Sequence, residues 1–550
     1  MLRRPGLVFS ALCALLIFSS FAATRNQEHK SRLRFRVTLS KDVKEVAPKA
    51  ASGRLFVLMT GATQEMKTIE IGFIPGSTWI AAKEVDYFAP GSTIEIDPDL
   101  QAYPKPFSQA GPGTYQVMAL LDPNHTYAYH GEDEGDLTSA VVKVENLDPA
   151  DARPVELKLT RLTPASFKPA DAESVKLVEF RSPMLSKFWG RAITMRAGVV
   201  LPPSYGKGLK KTYASVYHVH GFGGDHTAAW RQGPQLVKEM GEGKTAEMIH
   251  VFLDGSFPTG HHEFADSVNN GPWGKALTEE FIPHLEKQFR LVNKPYARFL
   301  TGHSSGGWST LWLQVTYPDF FGGTWSTAPD PVDLRSFTGI DATPGSTDNA
   351  YRERDGSPKQ LVRMNGKFVV SIEEFARQEE VTGDYGGQFG SFEWVWSPRG
   401  QDGRPMKMFN RESGELNQEV LKYWQNYDIR LILDKNWPRL GPKLKGKIHL
   451  ICGDADTFRL DEAVNMLCGF LKEKRSDAVC ELVPSRDHMN LYQPYQTYPD
   501  GLAARIYKEM AAKFEQAGMK NYAASGSGIS HRRLSGVRRQ ANHASGESRN

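Results

Sequence analysis

The chain has 550 residues, 67 Lys and Arg against 63 Asp and Glu, a formal net charge of +4 and 40 % hydrophobic residues. With 50 Gly, 33 Pro and no internal repeat, this is globular composition; it excludes collagen-like, coiled-coil and wholly disordered chains. At about 100–200 residues per domain, two or three domains are expected.

The amino terminus reads as a secretory leader over residues 1–23. Arg3 and Arg4 precede an apolar run from Leu7 to Phe18, and Ser20-Phe21-Ala22 supplies a small-x-small cleavage pattern. The run is too short for a hydrocarbon core that needs about 20 residues. No later stretch is long and apolar enough to span a membrane. The expectation is a secreted or periplasmic protein with no membrane span in the mature chain.

Residues 32–160 alternate apolar and polar side chains in short runs, as in Leu33–Leu39, Arg54–Met59, Ser92–Ile96, Gly113–Leu121 and Ser139–Val144. That pattern predicts a small antiparallel β-sandwich-like domain. An acidic stretch with Asp122, Asn124, Glu132, Asp133, Glu134 and Asp136 matches no fixed calcium-loop spacing and reads as a solvated loop.

After a Pro- and Ser-rich transition over 161–185, buried strand, loop and helix alternate. The predicted strands are Ala192–Leu201, Ala214–His220, Met248–Leu253, Ala297–Thr301, Gly323–Ser326, Lys447–Cys452 and Ala478–Val483. Ala276–Phe289 reads as a helix with Leu277, Phe281, Leu285 and Phe289 on one stripe. This alternation predicts an α/β domain over about 175–518, with a mostly parallel sheet covered on both faces. The interval 328–445 is too long for one crossover and reads as a helical and loop insertion, a lid or substrate wall above the sheet.

Residues 521–550 are polar, Arg-rich and expected to be disordered. The leader carries +2 and this tail +4, which leaves −2 for the folded middle and argues against a nucleic-acid partner. Cys452, Cys468 and Cys480 allow one disulfide at most.

The chemistry centres on Gly302-His303-Ser304-Ser305-Gly306-Gly307, a G-x-S-x-G pattern between a predicted strand and a predicted helix. Such a turn exposes the serine Oγ at the sheet edge, and small neighbours let strand and helix crowd together. A serine nucleophile needs a base, and the base an orienting acid, here in the order Ser, acid, His. Asp456 follows a strand with Gly-x-x-Asp spacing, with Asp454 as its rival. His488 is the only histidine after Asp456 before His531 in the tail. Tyr217-His218-Val219-His220 runs into Gly221-Phe222-Gly223-Gly224, an oxyanion-type loop, so the backbone N–H groups of Phe222 and Ser305 are the expected oxyanion donors. The rival reading of His218 and His220 is a metal pair with His226, His261 or His262.

From about Val175 to Lys513 the chain resembles the putative-esterase family of α/β-hydrolases. That family includes feruloyl and acetylxylan-type esterases, S-formylglutathione hydrolases, enterochelin esterases and mycolyltransferases. The resemblance rests on Val200-Leu201-Pro202-Pro203-Ser204-Tyr205, His220-Gly221-Phe222-Gly223-Gly224, Leu253-Asp254-Gly255 and Asp266-Ser267-Val268-Asn269-Asn270-Gly271-Pro272. A helix with Glu280, Ile282, Pro283 and Glu286, the elbow at Ser304, Asp456 and His488 complete it. It implies Ser304 as nucleophile, His488 as general base and acid, and Asp456 as its orienter, with Asp254 and Asp266 fixing loops. The insertion departs from the compact members, and the leading domain lies outside the resemblance.

The expected activity is therefore that of a serine esterase working through an acyl-enzyme on a small or polymer-linked ester, without metal or organic cofactor. Export, the leading domain and the tryptophans Trp394, Trp396, Trp424 and Trp437 tilt the substrate toward acylated carbohydrate or a bulky aromatic acyl ester. Acyl transfer to an alcohol uses the same site, and a non-catalytic binding role is the remaining alternative.

Overall fold

The structure is a computed structural model that describes residues 32–526 apart from 44–48, 62, 151–152, 166, 208–209 and 384–385, with side chains to 518. The expected leader and residues 527–550 of the expected tail lie outside the described residues.

The alternating runs of the leading segment form β1 (Phe35–Leu39), β2 (Ala51–Thr60), β3 (Trp79–Phe88), β4 (Thr93–Ile96), β5 (Ala102–Tyr103), β6 (Gly113–Asp122), β7 (Leu137–Ser139), β8 (Val142–Leu147) and β9 (Val155–Leu162). They make one sheet in the order β4-β1-β9-β7-β6-β2-β3-β5, with β8 also on β6. Every pair is antiparallel except β1 with β9. Residue alternation sets which face a side chain takes and is silent on strand direction, so sequence could not disclose the parallel pair. Phe35 and Val37 of β1 share a core with Leu55 and Val57 of β2, although three strands separate them. The sheet therefore curls so that its inner face packs on itself. The alternate residues Phe56, Leu58, Met118 and Leu120 point outward and bury Val381 of the insertion.

A second sheet contains β10 (Val175–Arg181), β11 (Thr194–Val200), β12 (Ser215–Val219), β13 (Ile249–Leu253), β14 (Arg298–His303), β15 (Gly323–Thr327), β16 (Ile448–Gly453) and β17 (Val479–Val483). Its order is β10-β11-β13-β12-β14-β15-β16-β17. The two pairings of β11 are antiparallel and the rest parallel, as expected for an α/β sheet. β10 falls in the stretch read as a transition. It is an edge strand with Lys176, Glu179 and Arg181 among its apolar residues, so its alternation is weak. Apolar clusters cover both faces of this sheet.

The expected helix over 276–289 is present with its stripe buried, but Ala276–Phe281 is wound as a π turn before Ile282–Gln288. Pro283 has no N–H to donate, and a wider turn accommodates its ring. A disulfide ties Cys468, in the helix Leu460–Glu473, to Cys480 in β17, while Cys452 is free and buried. The carboxy-terminal helix runs from Leu502 to Gly526. That helix takes in residues 521–526 of the expected tail. Among the described residues, no helix is long and apolar enough to cross a membrane.

The insertion is more regular than expected. It holds a hairpin (Gln360–Met364 with Lys367–Ser371) and the helices Ile372–Thr382, Gln388–Trp396, Gln418–Trp424 and Ile429–Lys443. Trp396 and Trp424 are fully buried and meet at 5.2 Å, and Trp396 lies 5.0 Å from Trp308 of the sheet-covering helix. These tryptophans are core, not substrate wall, and they fuse the insertion to the domain beneath it.

The first insertion helix also anchors the leading domain. Its start has a capping box between Ser371 and Glu374. Its last turn is closed from outside: Arg54 of β2 donates to the carbonyls of Val381 and Glu380, both at 2.9 Å. A helix end leaves such carbonyls without internal partners and favours a cation there. Arg54→Met should loosen this junction by about 2 kcal/mol. Hydrogen exchange of the 372–382 amides reports it, and unchanged exchange would show that Arg54 contributes nothing to docking.

Candidate active site

β14 ends at His303, and the helix Ser305–Thr316 starts directly beyond Ser304. Ser304 sits at φ 59° and ψ −126°, a conformation that L residues rarely adopt. Such a turn is sterically possible only where the next elements have no side chains. A Cβ on Gly302 would lie 2.2 Å from the Gly306 carbonyl oxygen, and one on Gly306 would lie 2.0 Å from that of Val219.

Two loops bring in the next groups. Asp456, beyond β16, is fully buried; its Oδ1 accepts from the N–H of Phe458 at 2.9 Å and of Leu460 at 3.3 Å. Its Oδ2 lies 2.8 Å from Nδ1 of His488, which follows β17. Asp454 is exposed and instead accepts from the N–H of Ser485 at 2.7 Å. The structure therefore joins Asp456, and not Asp454, to His488. Burial disfavours the imidazolium, but the carboxylates of Asp456 and Asp330 outweigh it and raise the His488 pKa. Burial likewise opposes the Asp456 charge, and His488 with the two N–H donors outweighs it, holding that carboxyl low.

Ser304 and His488 line one cavity of about 250 Å³. The Ser304 Oγ is 3.5 Å from Oδ1 of Asp330, at the limit of a hydrogen bond, and makes none to His488. Staggered wells about χ1 are the route by which the hydroxyl changes partner, and such contacts commonly tighten only when substrate is bound.

Asp330 was missed in the sequence. It lies in Ala328-Pro329-Asp330-Pro331 after β15, where the insertion begins, and no spacing rule marks it. It is buried, accepts from the Ser305 Oγ at 2.6 Å, and burial pushes its carboxyl up to about 6. His303 was also missed as a site residue. Its Nδ1 is 3.1 Å from Thr327 Oγ1 and its Nε2 3.1 Å from the His488 carbonyl, so it braces the His488 backbone.

On the other side of Ser304 is the Gly221–Gly224 loop. His220 Nε2 accepts from the Gly255 N–H at 2.8 Å, which leaves Nδ1–H to donate to the Gly221 carbonyl at 2.8 Å. Across a trans peptide the Phe222 N–H points opposite to that carbonyl. A Cβ on Gly221 would lie 3.2 Å from Ser304 Cβ, so the loop runs directly beside the serine. Neither the Phe222 N–H nor the Ser305 N–H has an acceptor among the described residues.

Among the described residues, the five histidines weighed as metal ligands do not come together as one metal-binding group. His218 Nε2 meets His250 Nδ1 at 2.9 Å, His226 Nδ1 lies 3.0 Å from Asp254, His261 Nε2 lies 3.0 Å from the His220 carbonyl, and His262 stacks on Trp273 at 3.6 Å. No group of three His, Cys, Asp or Glu residues among those described is placed to hold a metal ion. Asp254 bonds His226 and Ser256, and Asp266 accepts from the Lys275 N–H at 3.1 Å; both fix loops.

The cavity walls are apolar. Phe222, Phe375, Phe389, Phe392, Phe458 and Leu361 contribute to them, drawn from the glycine-rich loop, the insertion and the Asp456 loop.

The raised His488 pKa is directly measurable by ¹H–¹⁵N NMR of the imidazole. Asp456→Asn should lower it by about 1 pH unit or more. Because the folded value lies above the unfolded one, the pair's stabilisation is full below about pH 6.5 and is lost as pH rises through the folded pKa. Asp456→Asn should therefore destabilise more at pH 6 than at pH 9, and equal losses would contradict the pairing.

Residues 191–413 match the family described as "Putative esterase". A curated relative, an endo-1,4-beta-xylanase/feruloyl esterase of Xylanibacter ruminicola, is 29 % identical over 145 residues. That match takes in 24 % of this chain and spans only 20 % of the relative. Similar solved structures include an S-formylglutathione hydrolase from Agrobacterium tumefaciens (14 % identity, 62 % of this chain, 95 % of that one, TM-score 0.37). Another is a ferulic acid esterase from Anaeromyces mucronatus (15 % identity, 63 % and 94 %, TM-score 0.33). The stretch similar to that family takes in the serine elbow at Ser304 and ends before Asp456 and His488.

Proposed function

We propose that the protein is an exported serine carboxylic-ester hydrolase with Ser304 as nucleophile, His488 as general base and acid, and Asp456 as the group that orients His488. The observation that carries the reading is the conjunction of a strained serine at a helix start with a buried His488–Asp456 pair on the same cavity. Asp456 holds Nδ1, so Nε2 is the ring atom left to exchange a proton with Ser304 Oγ. The serine attacks the ester carbonyl, and the Phe222 and Ser305 N–H groups receive the oxyanion. His488 then passes the proton to the departing alcohol, and water releases the acyl group by the same steps in reverse.

The apolar cavity supports a hydrophobic acyl group, and the feruloyl esterase named among the relatives supports an aromatic one, borne on carbohydrate. The leader pattern at residues 1–23 supports export.

Ser304→Ala should reduce hydrolysis of p-nitrophenyl acetate by at least about 10³-fold. Undiminished turnover would remove Ser304 from the mechanism. In the wild type, kcat/KM should rise with pH through the raised pKa of His488, because only the neutral imidazole accepts the proton. A rate that is flat across that range would remove His488 as the base.

A further inference from the structure

The cavity beside Ser304 is not built by the α/β domain alone. Phe73, from the β2–β3 connection of the leading domain, is one of its walls. Its ring is 43 % exposed, although a phenylalanine free to choose would bury itself. It stands at the cavity mouth and meets rings from three separate segments: Phe222 of the glycine-rich loop at 5.6 Å, Phe375 of the insertion at 5.2 Å and Phe458 of the Asp456 loop at 5.9 Å. Phe458 in turn lies 5.0 Å from the His488 ring. The connection that carries Phe73 is held in place, since the Gly72 carbonyl accepts from Gln378 of the insertion at 2.9 Å and the Ile71 N–H donates to the Tyr127 hydroxyl at 3.3 Å.

A second residue of the leading domain reaches the oxyanion-type loop itself. Tyr129 donates its hydroxyl to the Gly224 carbonyl at 3.0 Å, and its ring packs against Phe222 at 4.6 Å. Burial raises the phenol pKa well above its usual value, so the hydroxyl keeps the proton it donates. Gly223, at φ 78°, passes so close that a Cβ there would lie 3.1 Å from the Tyr129 carbonyl. Both ends of the Phe222 peptide are thus set, on one side by His220 and on the other by the leading domain.

We infer that the leading domain is part of the active site. Phe73 is a specificity-determining residue that closes the acyl pocket, and Tyr129 is a positioning residue that fixes the loop carrying the Phe222 N–H. The inference rests on the esterase reading for its kinetic test, and a binding measurement separates the two.

The experiment uses the full chain, with p-nitrophenyl acetate and p-nitrophenyl benzoate as substrates and calorimetry of 3-phenylpropanoate as a readout that needs no turnover. Phe73→Ala should lower the benzoate-to-acetate ratio of kcat/KM by about 10-fold and weaken phenylpropanoate binding by a similar factor, with Phe73→Leu recovering part of both. Tyr129→Phe keeps the ring and removes one hydrogen bond. It should lower kcat by about 10-fold on both esters with KM within about twofold, the pattern of a misplaced oxyanion donor. Thermal melts identify any variant that fails to fold, and Phe73→Leu then stands in for Phe73→Ala.

An unchanged ester ratio together with unchanged phenylpropanoate affinity in Phe73→Ala overturns the role of Phe73. Unaltered kcat in Tyr129→Phe overturns that of Tyr129. If the wild type hydrolyses neither ester, the esterase reading fails, and the calorimetric comparison still decides for or against Phe73.

Discussion

The contact between the Gly306 backbone and the Val219 carbonyl oxygen leaves no room for a side chain, and the site is arranged around that closeness. It lets the helix after β14 begin hard against β12, so the chain must turn within the single residue Ser304. The turn costs backbone strain, of the order of 1–3 kcal/mol for a left-handed non-glycine residue, which the surrounding packing must offset. Trp308 and Leu311, in the helix that follows, are fully buried in the larger core and tie the strained turn to a rigid scaffold. The same closeness sets the Gly221–Gly224 loop beside the serine.

Beside that turn, the buried His488 and Asp456 are both answered. His488 is satisfied at Nδ1 by Asp456 and at its carbonyl by His303, and Asp456 takes two backbone donors as well. In a medium of low effective dielectric each of these partners matters more than it would in water, and an unanswered one would cost more. Asp330 is a second buried carboxyl group beside the turn. It lies near Ser304 and accepts from the Ser305 hydroxyl, and burial pushes its carboxyl up to about 6. Its charge contributes to the raised His488 pKa, so the serine, histidine and two carboxylates form one coupled set.

The junction between the two sheets follows the same physics. The outward face of β2 and β6 is apolar and would be costly to leave in water, and the first insertion helix covers it through Val381. Arg54 then answers the carbonyls at that helix end. Once this helix is shared, Phe375, on the same helix, and Phe73, on the leading domain, are brought to one cavity. The insertion helps hold Phe73 at the cavity, while Tyr129 reaches the glycine-rich loop directly.

Much of this could be read from the residues. Period-two alternation marked the leading β strands, strands alternating with helices marked the mostly parallel sheet, and G-x-S-x-G between strand and helix singled out Ser304, because those signals are local. His488 was singled out by elimination and Asp456 by its distance from a strand end, and the structure pairs the two side chains. What sequence left open was everything that depends on segments far apart in the chain: the parallel β1–β9 pair, the weak edge strand β10, the burial of Trp396 and Trp424, and the proximity of Asp330 to the serine. Phe73 lies more than 200 residues before Ser304, and nothing in its local pattern distinguishes it from a solvated loop residue. Sequence alone determined which side chains could do chemistry, since that follows from residue type and local backbone. Only the tertiary structure decided which of them meet, because packing the insertion helix between two sheets is a property of the whole chain.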